Sequence, residues 1–219
     1  MVRKSYEDIA VDLNDRVATI EIQRPPHNFF DLALIHQIVD ALKTIDEDPE
    51  CRVSVLCSEG KAFCAGQDLI EATNPEGPSL TQIVEEHYNP IIKIIRDIEK
   101  PVVAAVNGVA AGAGASIALC CDIVVACESA SFIQAFSKIG LIPDSGGTFF
   151  LPRLIGMQKA TALMMTAEPV SAQEALKMGM IYKVFSNNSF EEDSWTLVSK
   201  LALMPTKGLA LTKKLHDSL

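Results

Sequence analysis

Pro101-Val102-Val103-Ala104-Ala105-Val106-Asn107-Gly108-Val109-Ala110-Ala111-Gly112-Ala113-Gly114-Ala115-Ser116-Ile117-Ala118 is the stretch on which the fold turns. It belongs to an uncharged run that extends to residue 121 and holds Gly108-xxx-Gly112, features shared with membrane-spanning helices. The order of residue types argues otherwise. Pro101 opens the run, residues 102–106 suit a buried strand, Asn107-Gly108 signals a turn, and a helical pattern begins only afterwards. Strand, turn and buried helix is the expectation.

A second small-residue loop, Phe63-Cys64-Ala65-Gly66-Gln67-Asp68, follows another short apolar run. Small side chains let a ligand approach the backbone, and main-chain N–H groups at a helix start are fixed donors toward developing negative charge. The two loops read as the halves of an oxyanion hole, one donor from each. The plainer alternative makes both simple strand-to-helix turns.

Outward from these loops, residues 8–13 and 16–23 predict a hairpin joined at Asn14-Asp15 and stopped by Pro25-Pro26. Asp31 is an N-cap candidate for a helix carrying Leu32, Ile35, Ile38, Val39, Leu42 and Ile45, which ends at Asp46-Glu47-Asp48-Pro49. A strand over 53–57 leads into the first loop. The polar residues 73–78 predict a mobile surface loop, and Ser79-x-x-Gln82 opens a helix to about Ile98 that Pro90 should kink. Residues 123–126 and 131–134 predict further strands, so strand-to-helix units repeat through crossovers in an α/β chain. The last third is helical: Ser171-x-x-Glu174 and Ser189-x-x-Glu192 are capping-box patterns, Gly179 is a helix stop, and residues 200–219 are helical apart from Pro205 and Gly208. The expected division is a core over 1–185 and a helical region over 186–219.

The 219 residues suffice for one sizeable core. A net charge of −9 without a Lys/Arg cluster disfavours nucleic acid and anionic membranes as partners. Cys51, Cys57, Cys64, Cys120, Cys121 and Cys127 show neither CxxC pairs nor zinc spacing, and the Met1 end lacks a signal peptide's apolar segment. Buried thiols in a reducing, cytoplasmic setting are expected.

The words around both loops, with the run Gln134-Ala135-Phe136-Ser137-Lys138-Ile139-Gly140-Leu141-Ile142-Pro143-Asp144-Ser145-Gly146-Gly147, resemble the enoyl-CoA hydratase/isomerase (crotonase) family. The likeness is strongest toward its ring-1,2-epoxyphenylacetyl-CoA isomerase-like branch. It spans nearly the whole chain and implies a spiral of ββα units with a C-terminal helical region. It further implies an acyl-CoA substrate whose thioester oxygen is held by the N–H groups of Gln67 and Ala113, with the backbone of Ala65, Gly66, Gln67, Asp68 and Leu69 contacting CoA. Arg24 and Lys61 are candidate phosphate partners, though isolated exposed cations are ordinary. CoA enters as part of the substrate; no metal or redox cofactor is implied. Family hydratases use two glutamates, and the matching positions here are Ser116 and Phe136. Hydration needs one group to activate water and another to deliver a proton, so isomerisation is favoured over hydration.

In the branch resembled, an aspartate at the position of Asp144 is the acid/base. By sequence pattern alone Asp144 is instead an N-cap for a helix starting near Ser145, and the two roles are compatible. A carboxyl facing an apolar pocket has its pKa raised, which suits a group that takes and returns a proton. The implied reactions are a Δ3-Δ2 enoyl-CoA double-bond shift or the ring-1,2-epoxyphenylacetyl-CoA rearrangement, with Phe132 and Phe136 as candidate acyl-pocket walls. The resemblance also implies trimers or hexamers, and relatives with further C-terminal helices that complete the CoA site. Two rivals stand beside this reading. Gly114-Ala115-Ser116-Ile117-Ala118 is a near miss to a nucleophile elbow, whose triad would need Asp144 and His216. A scaffold that binds acyl-CoA or protein without turnover is the other.

Overall fold

The computed structural model describes residues 5–217. Strands β1 (Ile9–Asn14) and β2 (Val17–Ile22) form the antiparallel hairpin, with Ile9 opposite Ile22. The turn falls on Asp15 and Arg16, both at positive φ, one residue later than expected. Helix α1 (Leu32–Glu47) starts where predicted: the Asp31 carboxylate accepts from Leu34 N at 2.8 Å. It buries Leu34, Ile35, Ile38, Val39, Leu42 and Ile45. Its C-terminal end is closed by the buried Lys100, whose ammonium donates to the carbonyls of Ile45 and Asp48, where cations suit a helix's negative end.

The chain then winds as a spiral in which each turn gives one strand to each of two sheets. β3 (Val53–Ser58) and β4 (Ala62–Cys64) are followed by α2 (Leu69–Ala72), α3 (Leu80–Gln82), a π-helical segment over Ile83–Tyr88 and α4 (Asn89–Asp97). β5 (Val102–Val106) and β6 (Val109–Ala111) lead into α5 (Ala113–Cys120). β7 (Ile123–Cys127) and β8 (Ser131–Ile133) come next, then a 3₁₀ turn over Ala135–Ile139, α6 (Gly147–Ile155) and α7 (Met157–Thr166). The chain finishes with β9 (Val170–Ser171), α8 (Ala172–Met178), β10 (Lys183–Phe185), α9 (Phe190–Ala202) and α10 (Thr206–Asp217).

One sheet has the order β1-β2-β3-β5-β7-β10 and the other β4-β6-β8-β9. Beyond the hairpin the first sheet is parallel throughout; in the second, only the β8–β9 pair is antiparallel. Every residue of β5 is buried, as befits a parallel strand covered on both faces. So is every residue of α5, which explains the uncharged run: it is the central helix of the protein. Among the described residues no helix is long and apolar enough to cross a membrane.

Several expectations need correction. The helix from Ser79 opens with the expected capping box, but Pro90 sits in the first turn of α4 instead of at a kink. Proline has no N–H to give to the carbonyl four residues back, and the preceding turn widens so that Asn89 N donates to Val84 O. The 73–78 segment lies at the surface, as expected, and its turn is organised by Asn74, whose side chain accepts from Glu76 N and whose carbonyl accepts from Gly77 N. Ser171 and Glu174 form their capping box; Ser189 does not, because its hydroxyl donates to Asp193 at 2.6 Å. Gly208 lies inside α10, and the break before it is at Pro205. Gly179 ends α8 in the left-handed conformation, as expected.

Candidate active site

The first loop is fastened by its backbone. Ala65 N donates to His27 O at 2.9 Å, Phe30 N to Gly66 O at 2.8 Å, and Asp68 N to Phe30 O at 2.7 Å. In extended chain successive N–H groups point to opposite sides, so with Asp68 N bound to residue 30 the Gln67 N–H faces away from it. Among the described residues it meets no protein acceptor. The carboxylate of Asp68 caps α2 through Ile70 N, at 2.8 Å. Leu69 and Ile70 beside it are exposed.

The second loop comes to the first because β4 pairs with β6, Ala62 against Val109 and Cys64 against Ala110, across an irregularity in register. Two glycines permit the approach. A Cβ on Gly66, at φ +107°, would stand 3.1 Å from Ala111 O and 4.0 Å from Ala113 N; one on Gly114 would stand 2.5 Å from Cys64 O. Gly112 N donates to Ile133 O at 2.9 Å, while Ala113 opens α5 and its N–H is one of the donors a helix leaves unpaired at its start. The two expected donors thus come from loops in van der Waals contact, each without a protein partner among the described residues. Phe136 is buried beside them, its Cζ 4.0 Å from where a Cβ on Gly112 would be. Phe132 lies within the main core.

Asp144 does not cap a helix. α6 begins at Gly147 with Gly146 as its cap residue, after Ser145 and Gly146 both take positive φ. The turn is closed by Gly147 N donating to the Asp144 carbonyl at 2.8 Å, and the Asp144 carboxylate accepts from the Ser145 hydroxyl at 2.8 Å. Burial pushes the carboxyl above the usual carboxylate range, a rise that the Ser145 hydroxyl partly offsets. A non-glycine residue at positive φ costs about 1 kcal/mol or more, and such strain clusters at functional sites.

Tyr88, which sequence reasoning missed, is buried against the first loop. Burial raises its pKa well above the ordinary phenol value, and the charge of Asp144 is the largest of the neighbouring charges that add to the rise. Its hydroxyl donates to Gln67 Oε1. The available signal was the aromatic residue inside the apolar register Ile83, Ile91 and Ile95.

Ser116 Oγ and Gln134 Oε1 are both buried without a hydrogen-bond partner among the described residues, and both surround Gly147. A nucleophilic triad is not assembled. Ser116 is 1% exposed, and His216 lines a groove of about 380 Å³ bounded by Phe149, Arg153 and Lys213, whose walls include neither Ser116 nor Asp144. Arg24 pairs with Asp31 at 2.6 Å and Asp8 at 3.6 Å, and Lys61 is exposed.

The model of the enoyl-CoA hydratase/isomerase family matches residues 12–219. The 1,2-epoxyphenylacetyl-CoA isomerase of Escherichia coli K12 is 42% identical over 207 residues, covering 92% of this chain and 79% of that protein. A probable enoyl-CoA hydratase of Rhodobacter capsulatus is 40% identical over 211 residues, covering 96% and 81%. The crystal structure of an enoyl-CoA hydratase/isomerase from Mycobacterium abscessus superposes with a TM-score of 0.90 at 35% identity, covering 96% of this chain and 83% of that one. Match, fold and paired loops agree: this chain is a member of the enoyl-CoA hydratase/isomerase family.

Proposed function

We propose that the protein is an acyl-CoA isomerase in which the Gln67 and Ala113 N–H groups hold the thioester oxygen as an enolate while Asp144 removes a proton from the acyl chain and returns it elsewhere. The observation that carries this reading is Asp144, a half-buried carboxyl held above its usual range beside a hydroxyl donor, while Ser116 and Phe136 offer no carboxylate. One acid/base suffices for a proton shift, whereas hydration asks for two. Each backbone donor contributes on the order of 3–4 kcal/mol of transition-state stabilisation. The name of the Escherichia coli relative supports a ring-1,2-epoxyphenylacetyl-CoA substrate; that of a Streptococcus mutans relative, a trans-2-decenoyl-[acyl-carrier-protein] isomerase 33% identical over 200 residues, supports a double-bond shift.

The CoA portion is assigned to residues 65–69, with a homotrimer or hexamer as the working assembly, read by light scattering. The deciding experiment compares wild type with Asp144→Asn on 3-enoyl-CoA and epoxyphenylacetyl-CoA, with 2-enoyl-CoA as the hydration control. Isomer formation that falls at least ~10²-fold in the variant supports the mechanism and selects the substrate. Hydration that survives the substitution makes the protein a hydratase, and bound but unreacted thioesters in the wild type leave a non-catalytic scaffold.

A further inference from the structure

Gln67 is held twice over. Its backbone is pinned to residue 30, as described, and its side-chain amide is gripped at both ends. Oε1 accepts the Tyr88 hydroxyl, while Nε2 donates to Glu71 Oε2 at 2.6 Å and to Asp68 O at 3.3 Å. Glu71 is anchored in turn, its Oε1 accepting from Leu32 N at 3.3 Å, the first residue of α1. A carboxamide beside a substrate oxygen site is a hazard when loose, because it can turn its own oxygen toward the donors and occupy them. Fixed by a phenol on one side and a carboxylate on the other, it cannot.

The helix is shaped to deliver that phenol. Consecutive residues His87 and Tyr88 are each 1% exposed. The π-helical turn ahead of Pro90 carries both inward and leaves Tyr88 against the first loop. A phenylalanine would fill the same volume, so the hydroxyl is there for its hydrogen bond. We propose that Tyr88 is a positioning residue for the oxyanion hole, clamping the Gln67 side chain and through it the direction of the Gln67 N–H. This rests on the assignment of that N–H to the thioester oxygen.

The test uses Tyr88→Phe, Gln67→Leu and the double variant, with two readouts. The first is the red shift of the ultraviolet band of bound cinnamoyl-CoA, a conjugated thioester whose absorption moves as its carbonyl is polarised, and which needs no turnover. The second is kcat and KM on whichever isomerisation substrate the wild type accepts. The expected result is loss of at least half the red shift in Tyr88→Phe, a kcat lower by roughly 10-fold or more with KM within about 3-fold, and a double variant no worse than Gln67→Leu alone. An undiminished red shift in Tyr88→Phe overturns the proposal, as do losses that multiply in the double variant. So does a Tyr88→Phe protein that is merely less resistant to urea, or a wild type that binds cinnamoyl-CoA without a shift. Absence of turnover in the wild type, with a red shift that Tyr88→Phe loses, refutes the isomerase reading and leaves the clamp standing.

Discussion

Gly114→Ala tests whether the contact between the two loops builds the site. The added Cβ would stand 2.5 Å from Cys64 O, 2.7 Å from Cys64 Cβ and 2.9 Å from Cys64 Sγ. Two of these atoms belong to backbone and Cβ and have no rotamer by which to withdraw. Restoring ordinary contact to the carbonyl means opening the loops by about 0.9 Å, and overpacking of this kind costs ~1–3 kcal/mol. Alanine recovers part of this through its helix propensity, at most about 1 kcal/mol, so a net loss of roughly 1–2 kcal/mol is expected. The same displacement carries Ala113 away from Gln67, and a misplacement near 1 Å costs on the order of 10²-fold in rate. Stability is read from urea unfolding followed by Trp195, the one tryptophan of the chain, which packs partly buried on the core. Turnover is read on the accepted thioester. Gly208→Ala in α10 is the control: a Cβ there meets nothing within 4 Å, and the gain should be about 0.5–1 kcal/mol with activity unchanged. A Gly114→Ala protein as stable and active as wild type would refute the argument that close approach of these loops sets the donors.

Asp144→Asn should stabilise the protein at pH 7 while abolishing turnover. The folded carboxyl sits above its unfolded value, so its contribution is full below the ordinary carboxylate pKa and lost as pH rises through the folded value. Urea midpoints should favour the variant at pH 7 and converge toward pH 4; a variant less stable at pH 7 contradicts the burial argument. His87 behaves in the opposite sense. Burial lowers its pKa despite Glu71 Oε2 at 3.8 Å, so stability is full above the ordinary imidazole value and falls as pH drops through the folded one. His87→Leu should flatten the decline in urea midpoint between about pH 7 and 5, and an unchanged slope assigns the decline to other groups. Lys213→Met should cost about 3 kcal/mol and make α10 susceptible to limited proteolysis, because the buried ammonium bonds Ile95 O at 2.5 Å and Asp122 at 2.9 Å. A loss under 1 kcal/mol would show that the apolar face of α10 alone holds it in place.

Much of the scaffold was legible because it depends on neighbours along the chain. Asp31 as a helix start, the capping boxes at Ser79 and Ser171, Gly179 as a stop and the apolar face of α1 all rest on interactions within a turn or two. The strands β2, β3, β5 and β7, long enough to show a pattern, were found within one or two residues. Of the strands of two or three residues, β8 was expected at 131–134, while β4, β6, β9 and β10 were missed, since so short a run shows little periodicity and is fixed as a strand chiefly by its partners. With them went the second sheet, which brings the loops together.

The same division runs through the site. Residue identity alone placed two small-residue loops and a lone carboxylate in view, and the absence of glutamate at positions 116 and 136 was plain from the letters. The direction of Asp144, toward Ser145 and the buried space and not back onto a helix end, depends on two successive positive φ angles that a Ser-Gly pair permits without dictating. The Tyr88 hydroxyl reaches Gln67, 21 residues away, from the π-helical segment that precedes Pro90, a contact between segments that no local pattern announces. Local sequence determined the helices, the longer strands and the chemistry on offer, because propensity and capping are short-range. Tertiary structure decided which donors stay unpaired and which side chains share a space, because those depend on hydrogen bonds and burial between segments that meet only when the spiral closes.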